Sequence, residues 1–310
     1  MYLCIDIGGM SIKCGLINEK GEILAKRSME TPQGDPLKTI EKIAELCRET
    51  AVVAGVDFAD VKAIGTGVPG TVHKGVVTFA ANIGWFNVPY TETLSRLTSK
   101  ACYAGNDANC ALIGEWKFGK AKGYENVVAV TLGTGVGLAV ITDGKLLLGN
   151  GSAGTEGGHI KIKERGKKCA CGRCDCWELY ASTTSLLTRA KEVAEKHSDS
   201  IIAKLISEKG LSGFTVFEAD SKGDELVSKA LDEYIDDVCV GLINYVNIFR
   251  PELIVLGGGI SAQPRITDPI EKKVNAEAYG GENNPYVKVV PAEFFNDAGL
   301  IGAGALAMLG

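Results

Sequence analysis

The feature that most constrains this chain is an arrangement that occurs twice. Met1 to Ile7 reads as a short buried strand broken by Gly8-Gly9. Ser11 to Ile17 reads as a second strand, Asn18-Glu19-Lys20-Gly21 as a turn, and a third strand starts at Glu22. The same order returns at Asn126: strand Val127–Leu132, glycine turn Gly133-Thr134-Gly135-Val136-Gly137, strand Leu138–Thr142, then Asp143-Gly144 turning into Lys145–Leu148. Strand–helix units follow each meander. The halves share no obvious sequence repeat, so the likeness is one of architecture. With 310 residues the chain can fill two lobes, and the strands with their strand–helix units predict an α/β class.

Helical spacing of Ile40, Ile43, Ala44 and Cys47 predicts a helix over Leu37–Ala54. Val61–Val68 reads as a strand ending in Gly67-Val68-Pro69-Gly70, Thr91–Leu97 as a helix, Ala101–Ala104 as a strand and Ala108–Trp116 as a helix. Later come a long helix over Leu226–Phe249, a strand over Leu253–Leu256, a strand over Val287–Pro291 and a small-residue helix over Gly299–Leu309. A net charge of −5 with no basic stripe argues against nucleic-acid binding and leaves small molecules as the expected ligands. Asp6 interrupts the first apolar run, so no signal peptide is expected, and no stretch is apolar enough to span a membrane. The expectation is a soluble cytoplasmic protein. Of the ten cysteines, Cys4, Cys14, Cys47, Cys102, Cys110 and Cys239 lie scattered among apolar residues and read as buried free thiols of a reducing compartment.

The other four stand together in Cys169-Ala-Cys171-Gly172-Arg173-Cys174-Asp175-Cys176-Trp177-Glu178, with His159 ten residues upstream. Four thiols and an imidazole in so short a span suit a tetrahedral zinc site, and so many soft ligands suit a closed structural site more than an open catalytic one. Five candidates compete for four positions. Glu156 and Glu178 flank the cluster and could face a ligand. Two glycine turns are candidate phosphate cradles, because a tight turn exposes backbone N–H groups and admits close approach. The first is Asp6-Ile7-Gly8-Gly9-Met10-Ser11-Ile12-Lys13, where Asp6 could hold hydrated Mg²⁺ and Lys13 could neutralise phosphate. The second is Thr131 to Gly137, which lies between strands and so is not a dinucleotide fingerprint. Gly257-Gly258-Gly259 could let a backbone pass close to a flat group such as adenine. Asp107, in Gly105-Asn106-Asp107-Ala108-Asn109, is open to two readings: a helix cap, or a general base for a substrate hydroxyl.

In their order and spacing these motifs resemble the ROK family of sugar kinases, within the actin-like ATPase or hexokinase-like superfamily, over nearly the whole chain, and the bacterial glucokinases of that family most closely. The resemblance implies a two-lobed actin-like ATPase (ribonuclease H-like) fold, each lobe a mixed β-sheet flanked by helices, with a small zinc-binding loop. The expected small domain is 1–117, with the helix at about 297–310 packing back on it; the large domain is 118–296 and carries a zinc loop over 159–178. It further implies ATP-dependent phosphorylation of a hexose, most simply glucose to glucose 6-phosphate, with Asp107 as the base and with the lobes closing on the sugar. Sugar contacts would fall on Gly70, Asn82, Asn106, Asp107, Glu156, His159 and Glu178. ATP contacts would fall on Asp6, Gly8, Gly9, Met10, Ser11, Lys13, Gly133, Thr134, Gly135, Gly257, Gly258 and Gly259. Structural zinc would sit on His159, Cys169, Cys171 and Cys176, Mg²⁺ would accompany ATP, and a homo-oligomer, dimer or tetramer, is expected. Three positions depart from the family pattern: Met10 replaces the usual threonine, Asp175 the usual glycine before the last cysteine, and Cys174 is an added thiol that competes as a ligand. The alternatives are a ROK kinase for fructose, mannose, allose or N-acetylmannosamine, a sugar-sensing regulator and a sugar binder with a dead site. Ile83-Gly84-Trp85-Phe86-Asn87-Val88-Pro89 resembles the glucokinase stretch and favours glucose. Family regulators carry a DNA-binding helix-turn-helix ahead of the first motif, where this chain has five residues before Asp6.

Overall fold

The computed structural model describes residues 1–310. The chain opens with β1 (Tyr2–Ile7), β2 (Ser11–Ile17) and β3 (Ile23–Glu30), then α1 (Pro36–Val53) and β4 (Ala63–Val68). Next come β5 (Thr71–His73), β6 (Val76–Ala80) and β7 (Trp85–Val88), followed by α2 (Tyr90–Thr98), β8 (Ala101–Asn106) and α3 (Asp107–Phe118). The second series is β9 (Val127–Leu132), β10 (Val136–Thr142), β11 (Lys145–Leu146), α4 (Glu178–Ala181), α5 (Thr183–Lys196), α6 (Ile201–Lys209), α7 (Gly213–Ser221) and α8 (Glu225–Phe249). It closes with β12 (Leu253–Gly257), α9 (Pro264–Glu277), β13 (Lys288–Pro291) and α10 (Ala298–Leu309).

Two five-stranded sheets share one plan. The first has the order β3-β2-β1-β4-β8 and the second β11-β10-β9-β12-β13. In each, a meander of antiparallel strands is extended by two parallel strands: β1 pairs with β2 antiparallel and with β4 parallel, and β9 pairs with β10 antiparallel and with β12 parallel. The doubled opening read from the sequence is thus a doubled sheet topology, and the α/β class is as expected. The chain divides into two compact units. The first comprises Met1–Tyr124, Lys145–Thr155 and Glu293–Gly310; the second comprises Glu125–Gly144 and Glu156–Ala292. The segments 118–124, 145–155 and 293–296, which the resemblance places in the large domain, group with the first unit here.

In the first unit, β4 is buried along its whole length between β1 and β8. Helix α1 starts at Asp35, whose carboxylate accepts from the Leu37 N–H at 2.9 Å, and turns Ile40, Ile43, Ala44 and Cys47 into the core. Helix α10 packs on α3 and β4. Its small residues make this possible: a Cβ at Gly302 would lie 1.8 Å from the Cys110 carbonyl oxygen. In the second unit the 25-residue α8 starts at Asp224, which accepts from the Val227 N–H.

Some elements escaped the sequence reading. The hairpin strands β5, β6 and β7 form a separate three-stranded sheet, and they are too short to give a clear alternation. Helices α5, α6, α7 and α9 were not anticipated, although Ser182, Ser200 and Ser212 cap the first three. Strand β10 starts at Val136, so the second glycine turn shrinks to Gly133–Gly135 and Gly137 pairs with Thr131. Strand β8 runs on to Asn106. All ten cysteines are free; of the six scattered ones, Cys102 is half-buried and the other five are buried. No helix is long and apolar enough to cross a membrane.

Candidate active site and metal centre

The first unit carries the Asp6–Lys13 turn. Antiparallel pairing of β1 with β2 sets Asp6 opposite Lys13, and their charged ends lie 3.7 Å apart. The turn is closed by Gly8 N–H donating to the Ser11 carbonyl at 2.9 Å. It is also tied to Thr31, whose hydroxyl donates to the Gly8 carbonyl at 2.6 Å and whose N–H donates to the Met10 carbonyl at 3.0 Å. Gly9, Met10 and Ser11 are exposed, Met10 nearly fully at 89%. Burial raises the Asp6 carboxyl pKa, and Lys13 only partly opposes this. The start of α10 covers that carboxyl so closely that a Cβ at Gly299 would meet it at 2.7 Å. Lys13 also donates to the Asn296 carbonyl at 3.3 Å.

Asn106 ends β8 and caps α3: its side-chain oxygen accepts from the N–H groups of Ala108 and Asn109 at 2.9 and 3.2 Å. Its side-chain nitrogen donates to the Gly70 carbonyl at 3.2 Å. Gly70 leaves no room for a side chain, since a Cβ there would lie 2.2 Å from the Phe79 carbonyl oxygen. Capping therefore falls to Asn106, and Asp107 is the first residue of the helix, exposed, with its carboxylate accepting from the Ala108 N–H at 2.9 Å. Burial, then the charges of Asp107 and Asp6, raise the Cys110 thiol pKa, so both carboxylates bear on this one buried position. Asn82 is exposed in the short turn between β6 and β7.

The second unit carries the other predicted residues. The Gly133–Gly135 turn is held by the start of α5. Thr183 N–H donates to the Gly133 carbonyl at 2.9 Å, and the Thr184 hydroxyl donates to the Thr134 carbonyl at 2.9 Å. Glu178 also reaches this turn and accepts from the Val136 N–H at 3.0 Å. Gly257 ends β12, and Gly258 follows it beside the strand before the same turn: a Cβ at Gly258 would lie 2.2 Å from the Leu132 carbonyl oxygen, while Gly259 has open space. Glu156 is exposed, and the His159 N–H donates to its carbonyl at 3.1 Å. The turn between them is fixed from below by buried Tyr245, whose hydroxyl donates to the Gly157 carbonyl at 2.6 Å.

His159, Cys169, Cys171 and Cys176 come together, with their ligand atoms all within 4.8 Å of one another. Three thiols and one imidazole at such separations fit a four-coordinate zinc ion, and no position is left over for water. Cys174 is exposed and is not one of the four. Burial pushes the Cys176 thiol up to about 12, and the Arg173 backbone N–H lowers that of Cys171. Glu178 links this centre to the glycine turn: its Oε1 is 4.0 Å from the Cys169 sulfur while its Oε2 is on Val136 N–H. Sequence reasoning missed Thr31, Thr183, Thr184 and Tyr245. Ser182-Thr183-Thr184-Ser185 was legible as a helix start; Thr31 and Tyr245 carry no local signal.

Comparison with known proteins agrees with the motif pattern. The ROK family profile matches residues 2–309. A glucokinase of Thermotoga maritima is 33% identical over 308 residues, covering 97% of this chain and 95% of that protein. A glucokinase of Streptomyces coelicolor is 33% identical over 310 residues, covering 98% and 96%. Among solved structures, a ROK family glucokinase from Streptomyces griseus in complex with glucose and AMPPNP superposes with a TM-score of 0.86 at 32% identity, covering 100% of this chain and 99% of that one. The fold is that of the actin-like ATPases. A family match spanning the whole described chain, together with relatives one third identical along almost all of it, makes this chain a member of the ROK family.

Proposed function

We propose that the protein is an ATP-dependent hexose kinase that phosphorylates glucose at O6, with Asp107 as the general base. The observation that carries this reading is the division of labour at the start of α3: Asn106 caps the helix and anchors Gly70, so the neighbouring Asp107 carboxylate stands exposed at the helix start. The relatives named as glucokinases support the choice of reaction and sugar. In the transfer, the Asp107 carboxylate accepts the proton of the sugar hydroxyl as its oxygen bonds to the γ-phosphorus and the bond to the ADP oxygen breaks. Such loose transition states gain most from alignment and charge stabilisation.

Asn106, Gly70 and Asn82 of the first unit, and Glu156, His159 and Glu178 of the second, are each assigned to the sugar. The Gly8–Ser11 and Gly133–Gly135 turns are assigned to phosphates, each held in shape by its own first N–H, from Gly8 to the Ser11 carbonyl and from Gly133 to the Gly135 carbonyl, and Gly257–Gly259 are assigned to the nucleoside. Asp6 is suited to hold, through water, the Mg²⁺ that accompanies ATP and offsets phosphate charge. His159, Cys169, Cys171 and Cys176 would hold zinc as a structural clamp that fixes His159 and Glu178. The test is a panel of glucose, fructose, mannose, allose and N-acetylmannosamine with ATP and Mg²⁺, and with polyphosphate as a second donor. Glucose with ATP should give the highest kcat/KM. Sugar binding without phosphorylation of any of them would overturn the reading in favour of a sugar sensor.

A further inference from the structure

Asp175 stands between Cys174 and Cys176 at φ +59°, a left-handed backbone conformation that side chains other than those of Gly, Asn and Asp seldom adopt. It is 1% exposed. Its carboxylate accepts three hydrogen bonds: from Gly166 N–H at 2.8 Å, Lys167 N–H at 3.0 Å and the Tyr180 hydroxyl at 2.6 Å. Its own backbone adds two more, donating to the Lys167 carbonyl at 2.8 Å and accepting from Ile162 N–H at 3.1 Å. The buried Tyr180 ring is flanked by the ammonium groups of Lys163 and Lys167, at 4.8 and 5.2 Å from its centroid. One residue thus joins the segment at Ile162, the loop at 166–167 and helix α4, which begins with Glu178. None of these bonds involves a metal ligand side chain.

We propose that Asp175 is a positioning residue for the metal centre: its carboxylate holds the 160–180 loop in liganding geometry before the metal arrives. The inference rests on the metal-binding reading of His159, Cys169, Cys171 and Cys176. A charged acceptor without its donors is a poor buried group, and donors without their acceptor are equally poor. Removing the carboxylate therefore frees the loop, and the four ligands must then be gathered by the metal alone. Partners hydrogen-bonded directly to metal ligands commonly change metal affinity about 10- to 100-fold, and Asp175, which acts through the loop backbone, should fall at the lower end of that range.

The experiment uses the full chain stripped of metal and titrated with Zn²⁺ against a chromophoric chelator, and separately with Co²⁺ to read the ligand field. Asp175→Gly relieves the left-handed backbone while deleting the carboxylate. It should bind Zn²⁺ about 10-fold more weakly, yet give the parent Co²⁺ spectrum at saturation, because the four donors are unchanged. Asp175→Asn keeps one acceptor oxygen and the backbone preference and should recover part of the affinity. Should Asp175→Gly fail to fold, Tyr180→Phe removes a single donor and should weaken Zn²⁺ binding by a smaller factor. Parent-like Zn²⁺ affinity in these variants, with only thermal stability lowered, would overturn the proposal alone. Failure of the unaltered chain to bind Zn²⁺ would overturn the metal reading and this proposal with it.

Discussion

Gly135 offers a way to move one carboxylate without touching it. A Cβ at this position would lie 2.2 Å from Glu178 Oε2 and 3.0 Å from its carboxyl carbon, far inside contact distance. The group that must yield is the end of a flexible side chain, and the Gly135 backbone is not in the left-handed region. Gly135→Ala should therefore leave the turn in place and displace the Glu178 carboxylate, breaking its hydrogen bond from Val136 N–H. A hydrogen bond to a charged group contributes about 1.5–3 kcal/mol. If Glu178 holds a sugar hydroxyl with such a bond, its displacement corresponds to about 10- to 100-fold weaker glucose binding. The assay is ADP release with glucose varied at saturating ATP, alongside a thermal melt. The expected result is a raised KM for glucose with the fold intact. An unchanged KM for glucose would refute the link between Glu178 and the sugar. Gly158→Ala is the contrast: its Cβ would lie 2.1 Å from the Val136 carbonyl oxygen, so backbone must move and folding itself should suffer.

Other perturbations separate the parts of the site. Burial makes the ionised Asp6 carboxylate unfavourable in the folded state, so its contribution to stability is best below the unfolded carboxylate pKa and is lost as pH rises through the raised folded value. Asp6→Asn should match the parent's melting temperature in acid, exceed it at neutral pH and lose Mg²⁺-dependent turnover; a less stable variant at neutral pH would contradict this. Cys169→Ala removes one of the four gathered ligands and should lose zinc by metal analysis, melt lower and bind glucose more weakly. Unchanged glucose binding in the zinc-free variant would refute the coupling. A methyl group at Gly133 would meet nothing within 4 Å, so Gly133→Ala should keep the parent's melting temperature while raising KM for ATP. An unaltered KM for ATP would remove this turn from the phosphate site.

The repeated meander was legible because its first two strands are largely buried and its turns are marked by glycine. The small sheet β5-β6-β7 was not, because runs of three to five residues give no period to count. At the site, residues within motifs were legible and their supports were not. Asn106 and Asp107 stand side by side in sequence, yet only the backbone geometry distinguishes the cap from the first helical residue. The choice among five metal-ligand candidates is likewise a matter of loop path: Cys174 is as close in sequence as its neighbours but lies outside the gathered set. Asp175 stood out in the sequence only as an unexpected residue; its three hydrogen bonds give it a physical reason. Tyr245, fixing Gly157 from 88 residues away, leaves no trace in local sequence.

The most direct measurement is the turnover of Asp107→Ala with glucose, ATP and Mg²⁺, on protein shown by calorimetry to bind glucose. With Asp107 as the base, glucose binding is retained and kcat falls about 100- to 10,000-fold. A kcat close to that of the parent, with glucose bound equally well, would contradict the account.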